Sequence, residues 1–140
     1  MSEGIKPIYG PTNPSPAEFA RMRVKRFGGV IGLSPEKEQY YRILHSGTWT
    51  PVLDRLKASN IENFSIYVTE LEGKKYLFSY YEYTGNDYDH DMAQIAADPI
   101  TQRWWEECVP CQIRLPNREK EEDQWSNMEM VFLDAPKSKL

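Results

Sequence analysis

Two β-favouring runs, "NFSIYVTEL" (Asn63 to Leu71) and "KKYLFSYYEY" (Lys74 to Tyr83), are separated only by Glu72-Gly73. β-Branched and aromatic residues on both sides of an acid-Gly pair are the signature of an antiparallel hairpin, which any fold for this chain must contain. Alternation gives each strand two faces: Phe64, Ile66 and Val68 oppose Ser65, Tyr67 and Thr69, while Leu77, Ser79, Tyr81 and Tyr83 oppose Tyr76, Phe78 and Tyr80. Neither strand has a plainly wet face, so both sides of the sheet are expected to be covered.

Upstream, "RFGGVIGL" (Arg26 to Leu33) is a short apolar run ending at Ser34-Pro35 and reads as a buried strand. Its paired glycines, Gly28 and Gly29, permit close backbone approach or a bulge. Ser34, Pro35 and Glu36 form a helix start: a hydroxyl cap, a proline at the first helical position, and a carboxylate at the positive end. That helix is predicted to run to about His45, weaken at Ser46-Gly47, and resume in "WTPVLDRLKASN". Beyond the hairpin, Asp87 to Ala97 is helical, Asp98-Pro99 opens another helix, "LPNREKEEDQ" is a charged loop, and "NMEMVFLD" is a closing strand. The order is α+β, the ferredoxin-like βαββαβ arrangement with a four-stranded antiparallel sheet and helices on one side. The uncovered sheet face then calls for a partner sheet or a ligand pocket.

At 140 residues the chain has one-domain length. Residues 1–23 are expected to form a proline-rich arm, 24–136 a single domain, and 137–140 a tail. A net charge of −4 argues against a nucleic-acid partner, because clustered Lys and Arg would be needed to displace counterions from phosphates. No signal-peptide core or bilayer span is visible, so no membrane partner and a cytoplasmic location are expected. Cys108 and Cys111 are the only cysteines and are expected to be reduced. The aromatic content is 13%, including nine Tyr and four Trp, which points to a pocket or an interface.

One of only two histidines, His45, lies in "YYRILHSGTW" (Tyr40 to Trp49). Tyr41 and His45 are four residues apart, on one helix face and within reach of each other. Trp49 shares that face only if the helix survives Ser46-Gly47. His45 has two readings: a proton-transfer group with a pKa of about 6.5, or a helix-end histidine favourable against the negative dipole. Trp104 and Trp105 diverge by roughly 100° on a helix. Trp104 aligns with Ile100 and Cys108 and looks like core; Trp105 lies on the neighbouring row with Gln102 and Val109. For each, packing and pocket wall are both open readings.

Taken in order, Tyr41-x-x-x-His45-x-x-x-Trp49, "NFSIY", and "RWW" at Arg103 to Trp105 resemble the L-rhamnose mutarotase family, from about Arg26 to Leu133. The resemblance implies a dimeric α+β barrel and a homodimer. It implies a cofactor-free, metal-free isomerase of carbohydrate metabolism, acting on a monosaccharide such as L-rhamnose or L-fucose. His45 would be the general acid/base and Tyr41 would orient the sugar or share in proton transfer. Trp49, Phe64, Trp104 and Trp105 would contact substrate. Where the family carries a sugar-contacting tyrosine this chain has Phe64, which leaves the choice of sugar open. A ferredoxin-like cofactor-independent monooxygenase and a non-catalytic sugar-binding module are the alternatives.

Three other motifs have plainer explanations. "CVPC" trails a helix instead of opening one, so no helix dipole depresses its first thiol, and packing or turn roles are expected. "DYDHDMAQIAAD" has Met92 where a calcium loop needs glycine, so its acids read as helix starts, and His90 as exposed. "REKEED" reads as a solvated loop face.

Overall fold

The computed structural model describes residues 4–134; the 137–140 tail and the first three residues of the arm lie outside the described residues. Ser15 opens the first helix, α1 (Pro16–Arg21), through a reciprocal capping box with Glu18. Strand β1 (Lys25–Leu33) follows, then α2 (Glu38–Ser46), α3 (Thr50–Ala58), β2 (Ile61–Leu71), β3 (Lys74–Tyr83), α4 (Tyr88–Ala97), α5 (Pro99–Cys108), β4 (Gln112–Ile113) and β5 (Ser126–Met128). The sheet is antiparallel throughout, in the order β2-β3-β1-β4, with β5 also paired to β1.

The expected hairpin is present. Glu72 (φ 52°) and Gly73 (φ 79°) both adopt the left-handed conformation that a two-residue turn of matching twist requires. The helix starts are acids, as expected: Asp87 accepts from the His90 N–H, and Asp98 from both the Thr101 N–H and its hydroxyl. The exposed His90 also matches expectation.

Three details differ from the sequence reading. Ser34 makes no side-chain cap, because a 3₁₀ turn at Pro35–Lys37 precedes α2. Its N–H is instead committed to the Cys111 carbonyl at 2.8 Å. The closing strand is only Ser126–Met128: β1's free edge is shared between β5, opposite Gly28 to Val30, and β4, opposite Gly32 and Leu33. Val131 and Phe132 beyond it are 79% and 68% exposed. Gly28 and Gly29 lie in unbroken register with Tyr80 and Ser79, so they serve close approach and make no bulge. A Cβ at Gly29 would meet Ser79 Oγ at 2.9 Å. The bulge lies in β2 instead, between Glu62 and Ser65, with Asn63 at φ 53°.

The helix-facing side of the sheet buries two apolar clusters. Ile31, Leu33 and Leu77 pack with Tyr41, Val52, Trp104 and the two thiols in the first. Ile61, Tyr83 and Ile95 form the second, flanked by Phe27, Leu56, Tyr81, Tyr88 and Met92. The Tyr40 hydroxyl donates to Glu107 and so ties α2 to α5. Among the described residues no helix is long and apolar enough to cross a membrane.

Candidate active site

Helix α2 delivers Tyr41 and His45 together. The imidazole stacks on the phenol ring with centroids 4.1 Å apart and planes 27° from parallel. His45 Nδ1 lies 2.8 Å from the Tyr41 backbone oxygen. A carbonyl oxygen only accepts, so Nδ1 carries the hydrogen and the neutral ring keeps its lone pair on Nε2. Burial pulls the His45 pKa down, and the hydrogen bond to Tyr41 only partly offsets it. The outcome is a neutral imidazole with a fixed tautomer and a basic nitrogen.

The helix does not survive Gly47: α2 ends at Ser46, and Trp49 sits just before α3. Trp49 therefore reaches the site indirectly, meeting Trp104 edge-on at 5.2 Å. His45 in turn meets Trp104 edge-on at 5.1 Å. Four rings from α2, α5 and the α2–α3 junction thus form one continuous row with His45 in its interior.

A cavity of about 460 Å³ opens beside this row, lined by His45, Thr48, Phe64, Tyr81, Trp104 and Trp105 with aliphatic side chains between them. Both tryptophans line it. Trp104 is core as well as wall, at 6% exposure, while Trp105 is 39% exposed at the rim. Phe64, within the β2 bulge, stacks on Tyr81 across the strands at 5.3 Å and remains 45% exposed. Tyr41 and Trp49 are not among the lining residues. Tyr41 faces a smaller cavity of about 280 Å³ on the other side of His45, beside Ile66, Tyr67 and Leu77. Its hydroxyl accepts from Gln112 Nε2 at 3.3 Å, and burial raises its pKa to about 12.

A sequence model of the L-rhamnose mutarotase family matches residues 26–133 of this chain. The chain belongs to the L-rhamnose mutarotase family. It is 33% identical over 82 residues to an L-rhamnose mutarotase of Sinorhizobium fredii, an alignment that spans 59% of this chain and 74% of that relative. A Listeria monocytogenes L-rhamnose mutarotase is 30% identical over 95 residues, covering 67% of this chain and 86% of its own. The crystal structure of an L-rhamnose mutarotase from Formosa agariphila superposes with a TM-score of 0.58 at 18% identity, over 79% of this chain and 99% of that one. At that identity the superposition speaks to the fold, and it agrees with the mixed α+β architecture and antiparallel sheet described above. The family's name is that of an isomerase.

Of the six residues that the resemblance implies for the site, His45, Phe64, Trp104 and Trp105 line this cavity, and Tyr41 and Trp49 do not. Sequence reasoning missed Thr48, Tyr81, Met92 and Ile95, which also line it. The available signal for Tyr81 was its place on the same face as Leu77 and Ser79; for Phe64 it was Asn63, a residue tolerant of the left-handed conformation at a bulge. The cysteines are buried and unpaired with each other. Burial raises the Cys108 pKa to about 12, in keeping with a packing role.

Proposed function

We propose that this protein interconverts the α and β anomers of L-rhamnose, with His45 as the acid/base group. Ring opening needs a base for the anomeric hydroxyl proton and a proton for the ring oxygen; closure after the aldehyde turns over needs the reverse. In this reading His45 Nε2 takes the proton from the anomeric oxygen as the bond from C1 to the ring oxygen breaks. Water at the open rim protonates the ring oxygen, and each proton returns on closure. Phe64, Trp104 and Trp105 form apolar walls for the C–H faces of the pyranose. Tyr41 and Trp49 act through their neighbours: Tyr41 fixes the imidazole, and Trp49 supports Trp104. Residues 24–136 are the catalytic domain in this reading, and residues 1–23 an arm.

The observation that carries the proposal is the His45 geometry: an imidazole whose Nδ1 is held by a backbone carbonyl, on the wall of a cavity edged with indole rings. Saturation-transfer NMR of L-rhamnose anomers, with L-fucose run in parallel, is the test. Wild type should accelerate exchange, and His45→Ala should lose on the order of a hundred- to ten-thousand-fold of that acceleration. Full retention by His45→Ala would remove His45 from the mechanism, and a wild type at the spontaneous rate would remove the activity.

The same reading includes a homodimer joined through the outer sheet face. Tyr67 is 59% exposed there and Ile113 50%, with Tyr76, Phe78 and Tyr80 half-buried between them, a broad apolar surface for one side of a sheet. Sedimentation should give twice the mass of the 16.4 kDa chain.

A further inference from the structure

The cavity spans the seam between the two core clusters. His45 and Trp104 belong to its first-cluster end; the other end is walled by Leu56, Ile61, Met92, Ile95 and Tyr81 from around the second. Four of those five side chains are apolar. The exception is Tyr81, whose ring is clamped between Phe27 at 5.0 Å and Phe64 at 5.3 Å, both nearly parallel to it. Its hydroxyl meets the Tyr88 hydroxyl, at the first residue of α4, at 2.6 Å.

Two hydroxyls bring two hydrogens and four lone pairs, and one bond between them consumes one of each. Neither oxygen has another hydrogen-bond partner among the described residues, so one O–H and three lone pairs remain to be met. Burial holds the Tyr81 pKa well above its ordinary value, so the group stays protonated and able to donate. Phe64, the ring stacked against it, has no hydroxyl to offer.

Resting on the activity proposed above, we propose that the Tyr81 hydroxyl, held from behind the cavity wall by Tyr88, is the far polar anchor of the cavity, binding a sugar hydroxyl remote from the anomeric carbon and so selecting among aldoses. A cavity end that is otherwise apolar gives the sugar few competing polar contacts, and a site built to hydrogen-bond a hydroxyl discriminates against a substrate lacking it. The anchor is uniform binding, present in ground and transition states alike, so its loss belongs in KM.

The test measures anomer exchange of L-rhamnose and of its 3- and 4-deoxy analogues with wild type, Tyr81→Phe, Tyr88→Phe and His45→Ala. For L-rhamnose, Tyr81→Phe should raise KM by about three- to tenfold, while exchange at saturating sugar falls far less than with His45→Ala. One deoxy analogue should carry a KM penalty in wild type that collapses in Tyr81→Phe, which a merely structural tyrosine would not produce. Tyr88→Phe keeps the ring stack and removes the partner, and should reduce the same penalty. Deoxy penalties that all survive in Tyr81→Phe would overturn the anchor. If wild type accelerates no exchange, the activity falls separately, and the same sugars titrated against intrinsic tryptophan fluorescence decide the anchor: weaker L-rhamnose binding by Tyr81→Phe supports it, and equal binding overturns it.

Discussion

His45 is held by Tyr41 twice over: its ring stacks on the phenol at 4.1 Å, and its Nδ1 is bonded to the backbone oxygen of the same residue at 2.8 Å. The polar contact therefore does not depend on the Tyr41 side chain at all. The spacing of four residues along one helix is what makes both contacts possible at once.

From this follows a separation between Tyr41 and His45. Tyr41→Phe keeps the stack and the carbonyl, losing only a hydroxyl that accepts from Gln112. One neutral hydrogen bond is worth about 1 kcal/mol, so the exchange rate should fall by no more than about tenfold. Exchange NMR on Tyr41→Phe beside His45→Ala checks this. Equal losses in the two variants would assign the Tyr41 hydroxyl a proton-transfer role.

The two thiols should be inert in the folded protein. Cys108 and Cys111 are buried at 4% and 0% exposure. Desolvation raises both pKa values, Cys108 to about 12, so at neutral pH neither is a thiolate, the form that attacks alkylating reagents. Mass spectrometry after iodoacetamide treatment should find both unmodified natively and both modified in denaturant. Fast native labelling of either would show that the end of α5 or the turn after it opens locally.

Periodicity and turn chemistry carried most of the fold because the hairpin, the two acid-capped helices and β1 are all specified locally. Glu72-Gly73 sets the turn, and Asp87 and Asp98 set the starts of α4 and α5. The fourth strand was less legible because pairing there is a competition: Gln112–Ile113 and Ser126–Met128 divide the edge of β1, and neither segment has the length or alternation to announce it. The site was legible where it is local, in Tyr41 and His45 on one helix. Tyr81, Met92 and Ile95 reach the cavity only because β3 and α4 converge on it, a tertiary event with no sequence period. Trp49 illustrates the converse. Its helical spacing from His45 gives a shared face only if the helix continues, and the break at Gly47 places it behind Trp104 instead.

Gly85 is predicted to be intolerant of a side chain. A Cβ there would lie 2.6 Å from Tyr83 Cζ and 2.7 Å from Asn60 Nδ2, with the Tyr83 hydroxyl closer still. None of these can yield freely, because the Tyr83 hydroxyl donates to Asp91 at 2.5 Å and accepts from the Asp87 N–H at 3.0 Å, and Asn60 donates to the same Asp91 oxygen. Gly85→Ala should destabilise the fold by about 1–3 kcal/mol through overpacking. Urea unfolding measures it. Since this node anchors the start of α4, which carries Tyr88 and Met92, sugar affinity should weaken alongside stability; an unchanged midpoint would mean that the loop relaxes without disturbing Tyr83.

The pH dependence follows from the direction of the His45 shift. Burial lowers its pKa, and the Tyr41 carbonyl raises it by less, so the folded value lies below the ordinary 6.5 or so. The basic form is the neutral ring. The acid limb of the exchange rate should therefore fall below that ordinary value, and the protein should stay active at a pH where an exposed histidine would be mostly protonated. Stability follows the same linkage: as pH drops past about 6.5, the unfolded chain takes up a proton at this position before the folded one does, so this contribution is complete above that pH and is lost progressively down to the folded pKa. His45→Gln removes the titration and should flatten that part of the stability profile. NMR titration of the His45 ring resonances reads the pKa directly. A His45 midpoint at or above the ordinary value of about 6.5 would mean that the ring is solvated, and would take the neutral base out of the proposed mechanism.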